Sequence, residues 1–572
     1  MLAPTGRFPH LAAMSSSQRP AGKSQTSVVA RAIPYGLLVS LYLVLAALFT
    51  YPLILNITDH TPTGDGSADQ FQTIWFFWWM KKALFELAKN PYWTDAIYFP
   101  YGTGLGYHLC PLTNLQALAA STLIGASINS ATVFNMLVLG SFAVTGLGAY
   151  LLIRQITNHL PAAIWGSIFV AVSPYRLWHL NHLNLLSMGW GLLAFYFVIR
   201  LTERPRLREA ALGAVAFGAL FHMSLSDAWA FALLILVYLV SAAPSIVGHT
   251  ERRKLLACLG LMALIILAIA LPGLIAAHIV DSRWNISWRN TEEFSADLPS
   301  FVLPAEEASY AARFTGVDGG FAAGYGGEAF LGWTLLAVCL TTIIFSRKSL
   351  SVRWLFLSGV FLVLSLGPTL KIGALRILAG QLPYRWLFET LPFLNLSRTP
   401  GRLVVLVHLC LVIFAAQGVA SWLRVRHHDK ALAGKGRAKL VAIITIVICA
   451  LLFLENTDAN VQLWDMMVPN VYHELAADPD IDVIYEAPVL ERMPICNGYM
   501  YWQTIHGKKV ANGYLTHRSR HAGDLLATTR TWTAYGEAEK EALVAAGIDA
   551  IVFHRSANDV RLIPLGRSKP NP

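Results

Sequence analysis

Long apolar runs recur along this chain with short polar breaks between them, near 36 to 55, 132 to 153, 159 to 175, 184 to 200, 208 to 225, 228 to 246, 255 to 279, 329 to 345, 354 to 369, 402 to 423 and 440 to 455. A helix needs about 20 apolar residues to cross a bilayer core, so the pattern predicts eleven transmembrane helices. A further run, 113 to 126, is shorter, a length typical of an interfacial or re-entrant helix. After residue 456 the pattern changes. Short β-type runs at Val483 to Tyr485 and Ala550 to His554, a helical stretch from Glu537 to Ala546 and the turn pair Asn512-Gly513 predict a small soluble α/β domain. The expected fold is an all-α polytopic membrane protein of eleven transmembrane helices with a C-terminal α/β domain. The expected divisions are a disordered tail at 1–34, a membrane domain at 35–455 whose loop 56–131 carries interfacial helices, and the soluble domain at 456–572.

Composition supports the membrane assignment. Of 572 residues 55% are hydrophobic and only 14% charged, with a mean hydropathy of +0.50, far too apolar for a soluble protein of this size. The net charge of +10 would suggest nucleic acid if the basic residues formed a patch. They fall instead in short clusters between apolar runs and so carry topology. If 113 to 126 does not cross, the basic clusters at the tail, Arg154, 200–208, 252–254, 347–353 and 424–439 all lie on one side. The positive-inside rule makes that side cytoplasmic. Every long connection, 56–131, 280–328, 370–401 and 456 onward, then faces outward. The six cysteines lack metal-ligand spacing. Cys110 and Cys496 are the two that can meet in an oxidising space.

The candidate chemistry follows the first apolar run. Asp65 and Asp69 stand four residues apart, so a helix there puts both on one side, with Gln72, Phe76 and Trp79 continuing the stripe. Its tryptophans are expected to seat the helix at the headgroup level. Asp65 lies in Gly-Asp-Gly, which also makes a good turn. Asp69 opens the aromatic helix, where burial would favour a general base. Arg398 and Arg402 lie at the mouth of the tenth run, behind Pro400. Each is readable as an arginine snorkelling to headgroups, and the two together as a phosphate site. A short outer loop gathers Tyr175, Arg176, His179, Asn181 and His182, and another His222, Ser226 and Asp227. Arg289, Glu292, Glu293 and Glu328 are further candidates. No His, Asp or Glu pair shows metal-binding spacing, so a divalent metal stays an open alternative and no metal ligand is assigned.

The texts GDGSADQFQTIWFFWW, NPYWTDAIYFPYG, SPYRLWHLNHLNLLSMGW, LSRTPGRLVVL and YMYWQTIHGKKVANGY, with a first outer loop bearing an acid and a trailing soluble segment, resemble the GT-C class of polyprenyl-phosphate-sugar-dependent glycosyltransferases, and within it the YfhO-like bacterial branch. The resemblance implies that Asp69 is the base that activates an acceptor hydroxyl, with Asp65 as the fallback. It implies inverting transfer from a polyprenyl-phosphate-linked sugar to an envelope glycan, lipid or protein at the outer face of a bacterial cytoplasmic membrane. Substrate contacts are expected from Gln72, Tyr175, Arg176, His182, Arg398 and Arg402. No adjacent Asp-Glu pair is present, so metal dependence is left open. The rival readings are a non-catalytic homologue and a transporter or flippase of lipid-linked saccharides. The latter calls for matched halves and mid-span polar residues. The runs are nearly free of charge and no halves match.

Overall fold

The computed structural model describes residues 28–64, 67–106, 108–124, 129–279, 287–304, 329–345, 351–373, 375–391, 399–425, 435–456, 461–488, 494–515, 536–556 and 559–565. Asp65, Arg398 and Glu328 lie outside them, as do the side chain of Cys496 and most of the tail. Eleven helices lead from the N-terminal part into the membrane region: α1 (Val28–Phe49), α2 (Asp69–Lys81), α3 (Pro111–Ile124), α4 (Ser130–Thr157), α5 (Leu160–Ala171), α6 (Pro174–Trp178), α7 (Met188–Glu203), α8 (Leu207–Met223), α9 (Leu225–Ser241), α10 (Ala243–Val247) and α11 (Arg252–Ile279). Helices Trp333–Phe345, Val352–Ser365, Val404–Val425 and Lys435–Asn456 follow.

Each of the eleven apolar runs therefore holds a helix. By length and composition four of the described helical segments, Ser130–Thr157, Leu185–Glu203, Arg252–Ile275 and Pro400–Arg424, suffice to cross a membrane. Five more, including Ile33–Phe49 and Leu225–Ser241, are apolar but shorter. The expected eleven crossings thus exceed what helix length alone supports. The run at 113 to 126 lies in α3, whose 14 residues rise about 21 Å at 1.5 Å each, short of a bilayer core.

Local chemistry sets the boundaries. Asn129 caps α4 by accepting from the Thr132 amide, and Asn158 ends it in the left-handed region. Ser224 ends α8 and its Oγ accepts from the Asp227 amide to open α9. Helices α4 and α7 cross through glycine. A Cβ on Gly148 would stand 2.8 Å from the Gly189 carbonyl oxygen, so only small residues permit this approach. The helix Val404–Val425 packs against α4, α5 and the two helices before it, and is largely buried.

The C-terminal segment forms a four-stranded mixed sheet in the spatial order Asp559–Pro564, Ala550–Ser556, Val483–Ala487, Lys509–Val510. Val483–Ala487 runs parallel to both its neighbours, and the outermost pair is antiparallel. This segment does not pack alone. His60–Pro62 of the first loop pairs antiparallel with Leu463–Asp465, and Lys509 Nζ meets Asp95 at 2.7 Å.

The aromatic stripe of α2 is a correction to the sequence reading. Trp75 and Trp79 are fully buried and pack with Tyr98, Tyr485, Met500 and Ile551 rather than facing headgroups. Their indole donors explain why. Trp75 Nε1 donates to Gln503 Oε1 at 2.7 Å and Trp79 Nε1 to the Pro91 carbonyl at 3.0 Å, so the protein itself satisfies both polar handles. Helix α2 is thereby the seam between the first loop and the C-terminal segment.

Candidate active site

Asp69 is the first residue of α2, and the chain reaches it through a left-handed Ala68 at φ 60°. A buried non-glycine residue in that region is strained, a feature that concentrates at functional positions. Just upstream, Gly64 at φ +53° lies so close to Asn181 that a Cβ there would stand 2.0 Å from Oδ1. The absence of a side chain at Gly64 lets the two loops touch.

That contact assembles a polar chain. His182 Nδ1 stands 3.2 Å from Asp69 Oδ2, His182 Nε2 stands 3.2 Å from Ser67 Oγ, and Asn181 Nδ2 donates to Ser67 Oγ at 3.0 Å. Asp69 keeps 28% of its side chain exposed, whereas the sequence reading placed it in a buried aromatic setting. A neighbouring histidine is oriented by backbone: His179 Nδ1 lies 2.8 Å from the Tyr175 carbonyl, which can only accept.

These residues line one end of a cavity of about 840 Å³. Asp69, Gln72, His108, His182, His222 and Arg402 give it a polar head. Phe217 and Phe221 of α8, Trp229 and Ile235 of α9, and Met262, Ile266 and Leu274 of α11 give it a long apolar trough. Arg402 enters from the tight turn Pro400–Leu403 ahead of the helix Val404–Val425. Gln72 Nε2 donates to the Tyr514 carbonyl at 2.8 Å, which brings Tyr514 of the C-terminal segment into the wall. His222 Nε2 donates to the Ile269 carbonyl at 2.9 Å, near the bend-prone Pro272 of α11.

Behind the head, Asp227 is buried in the first turn of α9, and its Oδ2 makes no hydrogen bond among the described residues. It is not among the residues that line the cavity.

Of the expected site residues, the fold brings together Asp69, Gln72, His182 and Arg402. Asp65 and Arg398 lie outside the described residues. Tyr175 and Arg176 are a correction, because both are buried and neither reaches the cavity. Arg176 spends its donors inward: Nε on the Ala171 carbonyl at 3.0 Å, Nη1 on the Leu186 carbonyl at 2.9 Å and Nη2 on Ser141 Oγ at 2.8 Å, with its guanidinium 4.8 Å over the Phe142 ring. It pins the loop that carries His179 and His182. Among the other candidates, Glu292 pairs with Arg376 at 3.3 Å, away from the cavity.

Ser67, His108, Tyr92 and Tyr514 are cavity residues that sequence reading did not single out. All four lie inside or beside the quoted motifs, and that proximity was the available signal. Among the described residues no group of three His, Cys, Asp or Glu side chains converges as a metal centre. No step below passes through a divalent ion.

Residues 39–464 match a family described as Domain of unknown function (DUF6311). The chain belongs to that family. No curated protein matches it. Among solved structures, the cryo-EM structure of arabinofuranosyltransferase AftD from Mycobacteria is similar with a TM-score of 0.55 and 15% identity, over 93% of this chain and 36% of that one. A variant form of AftD gives 0.51 and 13%, over 91% and 36%. The archaeal oligosaccharyltransferase AglB from Archaeoglobus fulgidus, solved with an inhibitory peptide and a dolichol-phosphate, gives 0.48 and 10%, over 91% and 69%. The chain thus spans about a third of the length of AftD. The likeness is one of fold.

Proposed function

We propose that this protein is an integral membrane glycosyltransferase of the GT-C class, in its YfhO-like branch, that transfers a sugar from a polyprenyl-phosphate donor to an envelope glycan, lipid or protein acceptor. One observation carries the reading: a single cavity joins a polar head holding Asp69, His182 and Arg402 to an apolar trough between α8, α9 and α11. An isoprenoid chain fits such a trough by burying apolar surface. Its phosphate then lies in the head, where the Arg402 guanidinium makes no hydrogen bond or ion pair among the described residues and so has donors for an anion.

The chemistry asked of the site is modest. A lipid phosphate is a good leaving group and needs little acid assistance, so one base for the acceptor hydroxyl and one cation on the departing phosphate suffice. Inversion at the anomeric carbon follows from a single displacement. In this reading all eleven apolar helices cross a bacterial cytoplasmic membrane, the N-terminus and basic loops are cytoplasmic, and the cavity head opens outward. The fold likeness to AftD supports the transferase over a transporter. The deciding experiment is lipid analysis of cells lacking the protein. Accumulation of one polyprenyl-phosphate sugar, cleared by the wild-type gene, supports transfer. Unchanged lipid-linked sugars together with a lost transmembrane distribution of one of them would establish a transporter.

A further inference from the structure

We propose that the N-terminal end of α3 is a second wall of the donor's phosphate site, where the Thr113 hydroxyl, the Asn114 amide, the Trp229 indole and the open N–H groups of the helix's first turn hold phosphate oxygens alongside Arg402. The proposal rests on the transferase reading and deepens it.

Polar atoms without partners carry the argument. Thr113 and Asn114 are buried, and both line the cavity. Thr113 Oγ1 and Asn114 Nδ2 make no hydrogen bond among the described residues. Neither does the buried Nε1 of Trp229, a residue of α9 that lines the same cavity. A buried donor left unmade costs free energy, so three on residues of one cavity wall point to a ligand that accepts. The helix adds to them. Pro111 opens α3 and has no N–H to lose, and the Asn114 amide already donates to the Cys110 carbonyl at 3.0 Å. Between those two, the N–H groups of Leu112 and Thr113 have no acceptor among the described residues, at the end where the helix dipole is positive. The side-chain amide nitrogen, the indole and the main-chain groups only donate, and the hydroxyl can turn to do so, so the set fits an anion.

The packing puts this helix end where the head passes into the trough. Helix α3 packs against α2, which carries Asp69 and Gln72, and against α8, which carries Phe217, Phe221 and His222. Its first turn gives Pro111, Thr113 and Asn114 to the cavity wall. A lipid-linked sugar with its tail in the trough and its sugar in the head has its phosphate between them. The non-bridging oxygens of that phosphate carry more lone pairs than one arginine fork fills, and the donors of α3 and α9 take the rest. The length of α3 suits this role. Its 14 residues are too few to cross a bilayer core, and a helix that ends part-way can turn its N-terminus to an anion.

The test is equilibrium binding to the purified protein, with farnesyl phosphate as the probe and farnesol as the control that lacks the anion. Wild type should bind farnesyl phosphate more tightly than farnesol. Thr113→Val and Asn114→Leu should each weaken farnesyl phosphate about 10-fold and leave farnesol unchanged, since each removes a hydrogen bond to a charged group. Both remove a donor that has no partner in the free protein, so neither unliganded variant should melt below wild type. Asn114→Asp places a carboxylate at the helix end that favours one. It should therefore keep the wild-type melting point while weakening farnesyl phosphate ~100-fold by like-charge repulsion. Whichever of the three variants holds the wild-type melting point decides the matter. Farnesyl phosphate titrations that superimpose on wild type overturn the proposal and leave the transferase reading standing on Arg402. Displacement of farnesyl phosphate by an equal concentration of phosphatidylglycerol also overturns it, because the site would then belong to a membrane phospholipid. A wild type that binds farnesyl phosphate no better than farnesol refutes the placement of a lipid phosphate in this cavity, and the proposal with it.

Discussion

His182 Nδ1 meets Asp69 Oδ2 at 3.2 Å, joining the first turn of α2 to the loop between α6 and α7. Two segments far apart in the chain thus meet at the head of the cavity. Asp69→Asn is nearly isosteric and should leave folding intact. It should lower turnover by ~10²-fold to 10⁴-fold if this carboxylate is the base that activates the acceptor hydroxyl. Transfer assays with purified protein check this, and full activity in Asp69→Asn would remove the acid from the mechanism.

Gly64 and Asn181 form the contact that sets this unit. Gly64→Ala adds a Cβ that would meet Asn181 Oδ1 at 2.0 Å and must keep φ at +53°. The expected cost is about 1–3 kcal/mol of local stability. Hydrogen exchange of peptides spanning 60–72 and 176–186 should rise together in Gly64→Ala. A rise confined to one of them would mean that the loops are held independently.

Arg402 is expected to hold the lipid phosphate. Lysine keeps the charge and loses the fork, so Arg402→Lys should weaken farnesyl phosphate binding about 10-fold, and Arg402→Ala more. Calorimetric titrations of the three proteins compare them directly. Superimposed curves would leave Arg402 without a role in holding the donor.

His506 makes the C-terminal segment acid-sensitive. Burial, then the charges of Lys508 and Lys82, push its imidazole down to about 3. Below the usual imidazole value near ~6.5 the unfolded chain binds a proton that the folded one refuses. Its contribution to stability is therefore complete above pH ~6.5 and is lost as pH falls toward about 3. The opposite slope comes from Glu486, which burial pushes up against the lowering effect of His554. Comparing wild type with His506→Phe isolates the histidine, since phenylalanine keeps a ring against Tyr472. Proteolysis of the segment as a function of pH should show a shallower acid loss in His506→Phe, and parallel profiles would count against the assignment.

Part of the site was readable from spacing. Asp69, Gln72 and Phe76 share one side of α2 because helical periodicity puts them there, and all three line the cavity. Arg402 was readable too, because Pro400 beside an apolar run marks a helix mouth. Arg176 was misread, since composition and spacing cannot tell whether a guanidinium faces a cavity or its own backbone. Only the carbonyls of Ala171 and Leu186, brought around it by the fold, decide that. Trp75 and Trp79 were misread for a related reason. An amphipathic ring suits a headgroup layer or a buried site with an acceptor, and Gln503 supplies the acceptor from more than four hundred residues away.

The sequence by itself determined what depends on local chemistry. Hydrophobic periodicity and run length set the apolar helices, caps such as Asn129 and Ser224 set their ends, and β-type runs at 483–485 and 550–554 set strands. Tertiary structure alone decided which distant segments meet: His60–Pro62 with Leu463–Asp465, Asp95 with Lys509, and Ser67 and Asp69 with Asn181 and His182. The physical reason is that those pairings rest on shape and on hydrogen-bond partners across the fold. A close approach at Gly64 or a carbonyl placed by another helix leaves no periodic trace in the chain.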